Sequence, residues 1–199
     1  MIILLLVISY LLGGIPYGFL VAKAVKRIDI RTKGSGNIGA TNVTRVVGKK
    51  WGILVFVLDF LKGFVVPFIV PYFIKEPQAI IFILAVIAVV CGHNWTPYLG
   101  FKGGKGVSTT LGAVMGLGFS FPKLLILFLV AVAGWAIVFF LSIVVSLASI
   151  ASAFCFFIFS FILNVDLEFK FMAFLLFIFV LIRHKKNIQN ILQKKESHF

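Results

Sequence analysis

Long apolar runs broken by short polar loops dominate this chain. A helix that crosses a bilayer needs about 20 apolar residues, fewer where the bilayer thins. About seven runs approach that length, at residues 2–22, 51–74, 79–98, 107–121, 124–141, 143–163 and 169–183. The fourth and seventh are short. The stretch from Leu124 to Leu163 is too long for a single span, so a tight hairpin is expected near Ser142. Stretches of about ten residues with alternating hydrophobicity, the mark of a membrane barrel, are missing. The pattern predicts an all-α integral membrane protein forming a single domain over 1–199, with no internal repeat and no linker. The first run lacks the basic segment that opens a cleaved leader, so Met1–Ala22 is expected to persist as a helix.

Composition sharpens this. Hydrophobic residues make up 61% of the chain, Phe alone supplies 24, and mean hydropathy is +1.14. A soluble domain is closer to half apolar. The net charge is +13, with only 6 acidic residues. Lys75, Lys123 and Lys170 fall in loops on one side and Lys62 inside a span, whereas every other basic residue falls in 23–50, 99–106 or 183–199. By the positive-inside rule those segments are cytoplasmic, the N-terminus lies outside and the C-terminus inside. Basic residues confined to short loops between spans argue against nucleic-acid binding. Cys91 and Cys155 lie within apolar runs and read as small buried hydrophobes rather than a disulfide or metal pair.

The polar chemistry gathers in the loops assigned to the cytoplasmic side. The first is Gly34-Ser35-Gly36-Asn37-Ile38-Gly39-Ala40-Thr41-Asn42-Val43-Thr44-Arg45. Its glycines alternate with hydroxyl and amide side chains, and Arg45 can grip a phosphate with two hydrogen bonds. The second runs from Gly92-His93-Asn94 to Phe101-Lys102-Gly103-Gly104-Lys105-Gly106-Val107-Ser108. Glycines let backbone N–H groups converge into a concavity for an anion, and two ammonium groups stand beside it. A helix expected from Val107 adds its positive N-terminal end. The loop departs from a nucleotide-hydrolysing P-loop at Leu99 and at Gly106, so nucleotide hydrolysis is not indicated. The third is Arg183-His184-Lys185-Lys186-Asn187-Ile188-Gln189-Asn190, where His184 and Asn187 share a helical face. Val145-Ser146-Leu147-Ala148-Ser149 opens the sixth run with small residues that suit either helix packing or the lip of a site. Asp59 and Lys62, three apart inside the second run, are expected to pair, with a proton relay as the alternative.

Some chemistry is excluded by what the chain lacks. There is no Gly-x-Ser-x-Gly elbow, and Tyr98 stands where an acyltransferase of the His-x4-Asp kind would need an aspartate after His93. Carboxylates are too few for a phosphatase-like metal site, and neither a metal nor a cofactor is expected. A transporter would place polar groups near mid-membrane, open to each side in turn. A scramblase would need a polar groove along one helix, which only Asp59 and Lys62 would seed.

These loops resemble those of the bacterial acyl-phosphate:glycerol-3-phosphate acyltransferases. The resemblance rests on Gly34 to Lys50, Asp59-Phe60-Leu61-Lys62-Gly63, Gly92-His93 with Phe101 to Val107, Val145 to Ser149, and Arg183-His184 with Asn187-Ile188. They are collinear over nearly the whole chain. The chain departs from the family pattern at Ile143-Val144 and at Lys195, before Glu196. The resemblance implies transfer of a fatty acyl chain from an acyl phosphate to the 1-hydroxyl of glycerol 3-phosphate. The products are lysophosphatidic acid and inorganic phosphate, for phospholipid synthesis at the inner face of the bacterial cytoplasmic membrane. It implies a functional link to an enzyme that makes acyl phosphate from acyl carrier protein. Ser35, Arg45, Lys105, His184 and Asn187 are then the expected catalytic residues. Gly36, Asn37, Gly39, Thr41, Asn42, His93, Lys102, Gly103, Gly104, Gly106, Ser108 and Ser146 are the expected substrate-binding residues. Which loop holds which phosphate stays open, as does whether His184 or a donor phosphate oxygen takes the proton.

Overall fold

The computed structural model describes residues 1–196; residues 197–199 of the expected cytoplasmic tail lie outside them. All regular structure among the described residues is helical. The chain divides into two compact units, Met1–Gly116 and Leu117–Phe199.

The first unit opens with α1 (Ile2–Gly14) and α2 (Tyr17–Lys26), parted at Ile15-Pro16. The residue before a proline is held out of helical backbone. Ile15 sits at ψ 116°, so the run expected as one helix breaks there and the Ile15 carbonyl turns out of the helical ladder. Next come a 3₁₀ turn at Ile30–Thr32, α3 (Ala40–Val46), α4 (Lys49–Phe73), α5 (Ala79–Asn94) and α6 (Val107–Gly118). Helix α1 lies flush on α5: a side chain at Gly13 would strike the Val89 carbonyl, and one at Gly92 the Tyr10 carbonyl. Tyr10 Oη donates to Trp95 O at 2.6 Å and Thr96 Oγ1 to Gly14 O at 2.6 Å, which ties the ends of the pair together. Helix α6 approaches α4 as closely, with Gly112 against the Phe60 carbonyl and Gly63 against the Thr109 carbonyl. Small residues that let backbones touch are the usual solution where lipid removes the hydrophobic drive between helices. A small apolar core of Ala22, Ile30, Ile38, Val43, Val47 and Val55 seats the loop between α2 and α4.

The second unit holds α7 (Lys123–Ser142), α8 (Val145–Ile162), α9 (Leu167–Arg183) and α10 (Lys185–Leu192). The expected hairpin falls at Ile143-Val144, where Ile143 adopts a left-handed φ of 55° and the Ser142 hydroxyl accepts from Val144 N at 3.2 Å. Ser152 Oγ donates to Ala131 O at 2.8 Å, holding α8 on α7. Stacked Phe157 and Phe177, 5.9 Å between ring centres, join α8 to α9.

Among the described residues, 5 helices are long and apolar enough to cross a membrane: Ile2–Lys26 across its break, Lys49–Phe73, Ala79–Leu99 with its short extension, Lys123–Ser142 and Val145–Ile162. Two further expected spans are shorter. Helix α6 has 12 residues, and α9 has 17 with three charged residues among them.

Candidate active site

In the first unit the loop from Asp29 to Arg45 is shaped by Asn42. Its side chain is 2% exposed. Oδ1 accepts from Ser35 N at 2.9 Å, and Nδ2 donates to Asn37 O at 2.8 Å, Lys33 O at 3.1 Å and Ile30 O at 3.4 Å. One buried amide thus fixes four backbone groups. Gly34 and Gly36 hold φ of 56° and 72°, and a side chain at Gly34 would run into the Asn42 amide itself. Asn37 Oδ1 accepts from Gly39 N at 2.8 Å just ahead of α3. Ser35 and Arg45 are exposed, and Thr41 is half-buried on the first turn of α3. Lys26 Nζ donates to Val46 O at 2.7 Å and closes the far end of that helix. At the loop's entry Asp29 accepts from Arg31 N at 2.9 Å and from Arg31 Nη2 at 2.6 Å. That hydrogen bonding holds the Asp29 carboxyl below its ordinary range and raises the Arg31 guanidinium. Asn42 therefore sets the loop's form, while Ser35 and Arg45 face outward from it.

The second loop is laid over the end of α5. Gly104 N donates to His93 O at 3.0 Å. A side chain at Gly104 would collide with His93 Nε2, so the imidazole forms the floor of the loop. His93 is 5% exposed; its Nδ1 lies 3.2 Å from Thr109 Oγ1 and 3.5 Å from Asp59 Oδ1. Asp59 in turn pairs with Lys62 Nζ at 2.7 Å, and Lys62 donates to the Ile15 carbonyl at 2.8 Å. The buried charges thus pair with one another behind His93. Lys102 is exposed and Lys105 half-buried. Ser108 turns back from α6 to donate to Phe56 O at 2.8 Å, so its hydroxyl joins α6 to α4.

In the second unit the third motif lies at the joint of α9 and α10. His184 is 2% exposed, with Nδ1 2.8 Å from Val180 O. A carbonyl only accepts, so Nδ1 carries a proton and, in the neutral ring, Nε2 is an acceptor. Asn187 Nδ2 donates to Glu196 Oε1 at 2.5 Å, and Ser146 Oγ donates to the same oxygen at 2.8 Å. Glu196 ties the start of α8 to α10. It is the residue that reading the sequence passed over, taken there as part of the tail; its only signal was an acid in a chain nearly devoid of them.

Chemically, the first unit presents two glycine-rich loops with Arg45 beside one and Lys105 beside the other, a donor set suited to anionic oxygens. No cluster of His, Cys, Asp or Glu able to hold a metal ion occurs among the described residues.

The family model for glycerol-3-phosphate acyltransferase matches residues 3–194. The chain belongs to the glycerol-3-phosphate acyltransferase family. It is 48% identical over 117 residues to a glycerol-3-phosphate acyltransferase of Clostridium acetobutylicum, covering 56% of this chain and 59% of the relative. It is 48% identical over 112 residues to that of Aquifex aeolicus, covering 55% and 56%. Those alignments span just over half the length of the curated relatives. The fold is similar throughout to two crystal structures of PlsY (YgiH), an integral membrane glycerol 3-phosphate acyltransferase. The glycerol 3-phosphate form gives a TM-score of 0.87 at 40% identity, covering 100% of this chain and 95% of that one. The lysophosphatidic acid form gives 0.85 with the same identity and coverage.

Proposed function

We propose that this protein transfers a fatty acyl group from an acyl phosphate to the 1-hydroxyl of glycerol 3-phosphate, releasing lysophosphatidic acid and inorganic phosphate. The observation that carries the reading is the whole-chain likeness to the glycerol 3-phosphate form of an integral membrane acyltransferase. The loops support it, because both substrates carry a phosphate and the first unit presents two glycine-rich loops with a cation at each.

The hydroxyl oxygen attacks the acyl carbon. The bond from that carbon to the phosphate oxygen breaks, phosphate leaves with the electron pair, and the hydroxyl proton passes to a phosphate oxygen of the donor. An acyl phosphate is a mixed anhydride with a good leaving group, so no covalent acyl-enzyme is needed. Positioning of the two substrates supplies up to ~7–11 kcal/mol of the barrier, and cations and N–H groups aimed at developing charge add to it. Arg45, Lys105, His184 and Asn187 are assigned to the glycerol 3-phosphate phosphate and hydroxyls. Ser35, Asn37 and Thr41, with the backbone around Gly36 and Gly39 held by Asn42, are assigned to the acyl phosphate headgroup and carbonyl. Gly103, Gly104 and Gly106 shape the second nest over His93, with Lys102 at its rim. Ser108 braces the start of α6 against α4, and Ser146, within the second unit, ties the start of α8 to Glu196.

The distribution of basic residues supports an N-out, C-in arrangement of about seven spans with the site at the cytoplasmic face of the bacterial inner membrane. There an amphiphilic donor arrives from lipid and a soluble acceptor from water. The partner in metabolism is then an enzyme that makes acyl phosphate from acyl carrier protein. The test is to supply labelled glycerol 3-phosphate to the purified protein with palmitoyl phosphate, palmitoyl-CoA or palmitoyl-acyl carrier protein in parallel. Lysophosphatidic acid formed from palmitoyl phosphate alone supports the reading. Product from the thioesters alone overturns the donor assignment, and no product from any donor overturns the activity.

A further inference from the structure

Asn94, the last residue of α5, is 0% exposed. Neither its Nδ2 nor its Oδ1 has a hydrogen-bond partner among the described residues. The amide lies against Gly106: a Cβ there would stand 2.6 Å from Asn94 Oδ1 and 3.3 Å from Nδ2. Gly106 holds φ at 77°, and its carbonyl accepts the first bond of α6, from Thr110 N at 2.7 Å. On the other side of the loop, Gly103 rests on the main-chain carbonyls of His93 and Asn94.

Asn42 provides the contrast. It has the same side chain, is buried to the same degree and lies under the other glycine loop, yet both ends of its amide are bonded to loop backbone. Asn42 shows what a purely architectural asparagine does. Asn94 leaves a donor and an acceptor unmet, a cost that an apolar side chain would not carry. Orphaned buried polar groups of this kind call for an explanation.

We propose that Asn94 is a positioning residue that couples anion binding in the Gly103–Gly106 loop to the loop's shape. When a phosphate draws the loop inward, a loop N–H turns onto Asn94 Oδ1 and a loop carbonyl onto Nδ2. The unmet amide raises the free energy of the empty loop, and occupancy relieves it, so phosphate and the Asn94 bonds favour the same conformation. This rests on the reading that the loop holds a substrate phosphate.

The experiment follows the Asn94 side-chain amide by NMR in 15N-labelled wild-type protein as glycerol 3-phosphate, and separately inorganic phosphate, is added. Thermal stability of the wild type and of Asn94→Leu is measured alongside. The expected result is slower exchange of the Nδ2 protons by at least ~10-fold on binding. Asn94→Leu should melt above the wild type without ligand and lose most of the ligand-induced rise. Its KM for glycerol 3-phosphate should rise at least ~10-fold with kcat within ~3-fold of wild type. A wild type whose melting temperature rises with ligand while the Asn94 amide stays unmoved overturns the proposal and leaves Asn94 architectural. That arm does not depend on the variant folding. A wild type that responds to neither ligand overturns the anion loop, and this inference with it.

Discussion

Lys62 donates to the carbonyl of Ile15 at 2.8 Å, across from its ion pair with Asp59 at 2.7 Å. Pro16 explains the direction of that carbonyl, since the residue before a proline is held out of helical backbone and Ile15 sits at ψ 116°. The two charges are 2% and 4% exposed by side chain, so each depends on the other. Removing one partner strands a buried charge. Asp59→Leu or Lys62→Met alone should therefore cost about 3–5 kcal/mol of stability. The double variant should recover most of that loss, because no charge is left unpaired. Unfolding of all three in detergent measures it; equal losses in single and double variants would contradict a structural pair and favour a role for the charges themselves.

Asn42 should behave as the keystone of the first loop. Asn42→Ala strands backbone groups of Ser35, Asn37, Lys33 and Ile30, at a cost of about 1–3 kcal/mol. Hydrogen exchange should speed up at residues 33–39 and leave the second unit unchanged. Exchange that rises uniformly through the chain would contradict a local role.

Much of this was legible in the sequence, and the exceptions have physical causes. The hairpin near Ser142 followed from a run too long for one span, and the two glycine-rich loops with a cation beside each stood out as glycines interleaved with polar and basic residues. The break at Pro16, flanked by Gly13-Gly14 and Gly18, lay inside a stretch of the length expected for one span, so span length hid it. Asn42 and Ser108 read as ligand-holding groups because residue type tells nothing of direction: the first is turned inward to backbone, the second back to the Phe56 carbonyl. Glu196 lay beyond every periodic pattern, and only folding brings it to Ser146 and Asn187. Asn94 carried no signal beyond its place after His93.

Glu196 accepts from two side chains on separate helices, so its loss should loosen both. Hydrogen bonds to a charged group are worth about 1.5–3 kcal/mol. Glu196→Ala should lower kcat/KM by roughly 10–100-fold, with Glu196→Gln closer to wild type because one acceptor oxygen remains. An unchanged kcat/KM in Glu196→Ala would show that the tail does not position Asn187.

The pH dependence separates the two sources of base. If a donor phosphate oxygen takes the proton, His184→Asn, which retains an N–H able to reach Val180 O, should lower activity equally at all pH values. A pH–rate profile from 5 to 9 checks this. Loss of a pH-dependent limb in the variant alone would identify His184 as the base.

The most direct test of the acyltransferase reading is release of inorganic phosphate by the purified protein in detergent or lipid. Palmitoyl phosphate and glycerol 3-phosphate are supplied together and singly, with Lys105→Ala in parallel. Release that requires both substrates and falls at least ~100-fold in the variant, about 2.7 kcal/mol of transition-state stabilisation, is the predicted result. Release from palmitoyl phosphate alone at the same rate, or none with both substrates present, would contradict it.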